Sequence, residues 1–154
     1  MEPHPQLKTF LEPYKANIQQ LLFGLRTFIT DLVPEANELI WDNYNAVAIA
    51  YSKSQKLKDA FCHLAVYANY VNFGFNRGAE LTKSTIQLKG SGKLIRHFKV
   101  TDIDSFPKDA IKPIIWEAVG LSEMLNPDLI ALSTTPESLV MSVSPKKRRP
   151  KKNT

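Results

Sequence analysis

The chain reads as an α+β domain of two layers. A mainly antiparallel sheet of about four or five strands packs against a long N-terminal helix and a C-terminal helix. Three features of the 154 residues predict this. Apolar residues near the N-terminus recur at helical spacing. The middle of the chain holds short aromatic and β-branched runs divided by turn residues, and helical spacing returns after Pro107. Helices, then strands, then a helix is the order that gathers helices on one face of a sheet.

Tyr14, Ile18, Leu21, Leu25, Phe28 and Leu32 follow one another at spacings of 4-3-4-3-4, one face of a helix. Pro13 suits the first turn, where its missing N–H costs nothing, and Pro34 closes the far end. Leu7, Phe10 and Leu11 predict a shorter helical piece before Pro13. The run from Pro34 to Trp41 (PEANELIW) reads as a short second helix starting at Pro34. Strand character begins at Ala46 to Ser52. Phe61 to Tyr67 and Tyr70 to Asn76 then read as two antiparallel strands, and Leu94 to Val100 as another. Ala110, Ile114, Ile115 and Ala118 give the C-terminal helix, with Pro113 expected to kink or restart it.

Composition divides the chain in two. Six cations (Lys146, Lys147, Arg148, Arg149, Lys151 and Lys152) lie within the last nine residues, and removing them from the net +5 leaves −1 for the remainder. Residues 1–132 are expected to form a single domain with a core of about 14–120. Residues 133–154, rich in Ser, Thr, Pro and basic side chains, are expected to form a flexible basic tail. Cys62 is the only cysteine, so no internal disulfide forms. With no secretory leader and no apolar run long enough to span a bilayer, the cytoplasm is the expected location.

Three segments together (PEANELIW, VNFGFNRGAEL and LKGSGKLIRHFKV) resemble the YdhG-like bacterial family of domains of unknown function. The matching positions are Pro34 and Glu38; Gly74, Phe75, Gly78, Ala79 and Leu81; Leu88, Gly90, Gly92 and Lys93; and Arg96 with His97. The resemblance covers residues 14 to 120. It implies a compact two-layer α/β domain, and one branch of the family is described as a frataxin-like iron chaperone. Iron is therefore the metal that the resemblance implies.

The best site candidate is the loop Gly90, Ser91, Gly92 and Lys93, followed by Arg96. Glycines let successive N–H groups turn toward one anion, and Lys93 and Arg96 add charge. The P-loop spacing is absent, and the plain reading, a tight turn with solvated basic neighbours, weighs more. Strand alternation sends Arg96 and His97 to opposite faces. Arg96 is expected to pair with Glu38 or Glu80. The same alternation puts Tyr70, Asn72 and Gly74 on one face, which would form a groove with Asn72 and Arg77 as its polar contacts if nothing covers it.

Glu35, Glu38 and Asp42 would share one face of the short second helix and offer weak sites to a hard cation, although a solvated acidic face is the commoner meaning. Cys62 and His63 are adjacent on a strand and cannot chelate together. The basic run suits nucleic-acid phosphates, against the plain reading of a solubilising end. Nucleophile-elbow and dinucleotide motifs are absent, so the reading leans away from an enzyme. A non-catalytic domain binding a small ligand, an ion or a protein partner is the leading expectation. Nucleic-acid association through the tail and an uncharacterised enzyme with an anion-holding loop are the alternatives.

Overall fold

The computed structural model describes residues 1–132 and 134–148. It is an α+β fold with three helices and six strands: α1 (Pro5–Leu11), α2 (Ala16–Leu32), β1 (Asn37–Asp42), β2 (Val47–Ser52), β3 (Ala60–Val66), β4 (Val71–Phe75), β5 (Arg96–Val100), α3 (Lys108–Leu125) and β6 (Ser138–Val143). The sheet order is β5-β4-β3-β2-β1-β6. The first five strands are consecutive antiparallel neighbours, whereas β6 joins β1 in parallel. Two antiparallel strands need only a turn between them, but a parallel pair needs a crossover. Here the crossover carries α3.

Alternation assigns each face. One face presents Ile40, Ile49, Leu64 and Phe73 in a single cross-strand row, with Tyr51, Cys62 and Phe75 in the next. The helices close over it: Ile18, Leu22, Leu25 and Ile29 of α2 and Ile111, Ile114 and Ile115 of α3 bury themselves in the same core. Phe73 stacks on Phe98 and Phe106 with ring centroids 5.4 and 5.6 Å away. Pro113 lies inside α3 without ending it.

Two expectations are corrected. The segment from Pro34 to Trp41 is not a helix: Pro34 and Glu35 form a turn and β1 follows. As an inner strand β1 is buried on both faces, so it lacks the alternation that identifies a half-buried strand, and its two acids suggest an exposed helix instead. The sheet accordingly has six strands and is mixed. The sixth, β6, lies inside the segment expected to be a flexible tail. Its sequence, SLVMSV, is short and half exposed, and only its partner β1 makes it a strand.

Between Ser144 and Arg148 the chain folds back along the β1–β2 turn. The Ser144 amide donates to the Asp42 carbonyl (2.8 Å) and the Arg148 amide to the Tyr44 carbonyl (2.7 Å). No helix among the described residues is long and apolar enough to cross a membrane.

Candidate ligand site

The second face of the sheet is built from small residues. Trp41, Ala48, Ala65, Asn72 and Lys99 form one cross-strand row, and Leu39, Ala50, His63, Gly74 and His97 form the next. Three alanines and a glycine raise no wall, and a cavity of about 750 Å³ opens over this face. That volume lies within the range of small-molecule sites, roughly 300–1,000 Å³. Trp41, Ala48 and Ala50 line one part of it; His63, Asn76 and Arg77 line another, and Gly92 to Ile95 form a rim.

His63 owes its position to Gly74. A Cβ at Gly74 would stand 2.2 Å from His63 Nε2 and 2.5 Å from Cε1, so the imidazole lies flat across the neighbouring strand in the space a side chain would occupy. His63 Nδ1 lies 2.9 Å from Asn76 Oδ1. The amide oxygen only accepts, so Nδ1 carries the proton and Nε2 of the neutral ring is an acceptor. Burial lowers the His63 pKa below its ordinary value; the Asn76 hydrogen bond acts the other way, and His97 lowers it further. The ring is therefore neutral near pH 7.

The Gly90–Lys93 loop borders the cavity through Gly92 and Lys93, while Gly90 and Ser91 lie outside its lining. Gly90 has φ +145°, a conformation that favours glycine, and a Cβ there would meet the Ile95 carbonyl at 2.7 Å. Arg96 faces this loop, but its Nη1 donates to the carbonyls of Gly92 and Ile95, both at 2.7 Å. Its charge thus closes the loop from inside. The expected pairing of Arg96 with Glu38 or Glu80 is corrected: Glu80 binds Arg77 (Nη2–Oε1 2.6 Å) and Glu38 binds Arg26. The register also confirms that Arg96 and His97 face opposite ways, opposite Phe75 and Gly74 respectively. Asn72 lies on the cavity's face of the sheet but outside the lining residues, whereas Arg77 lines the cavity.

The acidic trio separates. Glu35 is exposed in the turn before β1, while Glu38 and Asp42 are buried on the strand. Glu38 is wholly engaged: Arg26 Nε lies 2.8 Å from its Oε2, the Tyr51 hydroxyl donates to the same oxygen at 2.8 Å, and the Ser138 hydroxyl donates to Oε1 at 2.6 Å. Burial and the Glu38 charge push the Tyr51 pKa well above its ordinary value, which keeps the phenol a donor. This cluster joins α2, β1, β2 and β6, so the Glu in the motif holds the fold together. The helical face that was to bring the three carboxylates together does not exist. Among the described residues no three His, Cys, Asp or Glu side chains are grouped to hold a metal ion.

In the basic run, Lys147 reaches back to Asp42 (Nζ–Oδ2 3.1 Å) and also donates to the Ser144 carbonyl. Lys146 and Arg148 are exposed; Arg149, Lys151 and Lys152 lie outside the described residues.

Sequence reasoning missed Trp41, Lys58 and Asn76 as site residues, and weighed His63 only as a metal ligand. One signal was available. Ala48, Ala50 and Gly74, read with strand alternation, mark a face stripped of bulk.

These features define a two-layer α+β domain whose second sheet face carries a ligand-sized cavity. No protein-family model, curated protein or solved structure matches the chain. The likeness to the YdhG-like family therefore rests on the motifs quoted above.

Proposed function

We propose that this chain is a non-catalytic binding domain of the YdhG-like kind and that it holds a small ligand on the open face of its sheet. The cavity over Ala48, Ala50 and His63 carries the reading. An apolar concavity with a few convergent polar groups is the usual form of a small-molecule site. Among the described residues the lining holds no cysteine or serine, and Cys62 sits in the core, where burial raises its thiol pKa. The iron form of the reading draws less support, because Glu38 is committed to Arg26, Tyr51 and Ser138.

Trp41 provides the test. In a Trp116→Phe background it is the remaining indole, since the chain has two tryptophans. Titration with anionic, neutral and cationic amphiphiles is expected to give a saturable fluorescence change for at least one class. Ala48→Leu, which fills the floor, is expected to remove it. A panel without saturable binding, or binding untouched by Ala48→Leu, overturns the reading.

A further inference from the structure

The cavity is polar at one end and apolar at the other because of strand direction. β3 starts, β4 ends and β5 starts at the same end of the sheet. The residues just outside those ends therefore gather there: Lys58 before β3, Asn76 and Arg77 after β4, and Lys93 before β5. The opposite end holds Trp41 and Asn43 at the end of β1 and Ala48 near the start of β2. Three cations stand at one end of the lining, an indole lies at the other end, and among the described residues no carboxylate lines any part of it. Glu80, outside the lining, takes Nε and Nη2 of Arg77 and leaves Nη1.

From this polarity, and resting on the binding reading above, we infer that the ligand is an amphipathic organic anion. Its carboxylate sits among Lys58, Arg77 and Lys93, and its apolar body lies across Ala50 and Ala48 toward Trp41. The neutral His63, held by Asn76, lies beneath the junction of head and body and offers Nε2 as an acceptor for a ligand hydroxyl or amide. Trp41 on β1 and Arg77 after β4 are three strands and five residues apart, roughly 22 Å at the backbone. Side chains at both ends shorten this to an apolar body of about 10 Å, the length of a medium-chain fatty acid or a fused-ring aromatic acid. Charge complementarity selects the anion, and the alanine floor selects a body that is thin or flat.

Decanoate and 2-naphthoate are the two probes, with decanol and decyltrimethylammonium as neutral and cationic controls of similar length. Trp41 fluorescence in the Trp116→Phe chain is the readout. At least one of the two anions is expected to saturate the signal and to bind about tenfold or more tighter than either control. Lys58→Glu with Lys93→Glu, both at exposed positions, is expected to weaken anion binding by at least that factor and to leave decanol unchanged. The two anions separate a chain-shaped from a ring-shaped body. If decanol binds as tightly as decanoate, or the double charge reversal has no effect, the anion inference fails while the binding site stands. Preference for the cation also overturns it. If no probe binds and a wider panel is also silent, the binding reading itself has failed.

Discussion

Gly74 and His63 act as one unit. The glycine leaves a gap on β4, and the imidazole from β3 lies down in it, which keeps the cavity floor low. Gly74→Ala drives a methyl into the ring and is expected to cost about 1–3 kcal/mol. In a His63→Ala background the obstacle is gone, so most of that cost should vanish, and the double-mutant cycle should show a coupling of about 1 kcal/mol or more. Additive effects in urea denaturation would contradict the arrangement. The same histidine predicts a pH dependence. Its folded pKa lies below the ordinary value of 6.5, so the unfolded chain takes up the proton first as pH falls. His63 therefore costs no stability above about pH 7. Stability is lost as pH drops through 6.5 toward the folded pKa, then levels off. His63→Gln should flatten the part of the pH profile that His63 causes, measured by denaturant midpoints between pH 5 and 8.

At the scale of elements, the buried Glu38 cluster decides how Met1 and β6 are held. Arg26 of α2, Tyr51 of β2 and Ser138 of β6 all converge on one carboxylate of β1, and the Arg26 guanidinium also donates to the Met1 carbonyl (2.9 Å). Glu38→Ala leaves a buried guanidinium without its counter-charge and should cost about 3–5 kcal/mol; Glu38→Gln, which retains an acceptor, should cost less. Strand β6 is part of this cluster and covers one edge of β1. A chain ending at Leu132 loses the Ser138 hydrogen bond and the packing of Val140 on the core, and is expected to lose at least about 3 kcal/mol. A chain ending at Arg148 keeps every one of those contacts. Equal midpoints for the two truncations would show that β6 contributes nothing.

At the scale of the whole molecule, the two faces of the sheet divide the work. The helix-covered face contains the large apolar side chains and supplies the stability; the other is lined by small ones and leaves room for a ligand. A ligand that binds only the folded chain stabilises it by mass action. Decanoate at about a hundred times its Kd should add about 2.7 kcal/mol, a rise in Tm of about 5–10 °C for a chain of this size. The shift should disappear in Ala48→Leu. Thermal melts across a decanoate series check both statements.

Most of this fold was legible along the chain because its signals are local. The spacing from Tyr14 to Leu32 is a property of one helix, and the runs around Phe61–Tyr67 and Tyr70–Asn76 are bounded by their own turns. The uncovered sheet face was also within reach, since alternation alone puts Asn72 and Gly74 together. The two strands that escaped have non-local causes. β1 is buried on both faces with an acid whose partners come from three other elements, one of them a hundred residues away, and β6 exists through its pairing with β1. The same distinction governs the site. By itself the sequence determined the helices α2 and α3, the hairpin of β3 and β4, which face of β4 is small, and that Arg96 and His97 part company. Tertiary structure decided which charges neutralise each other and which remain at the cavity. Those outcomes depend on distances between residues far apart in the chain, and only the packed sheet sets them.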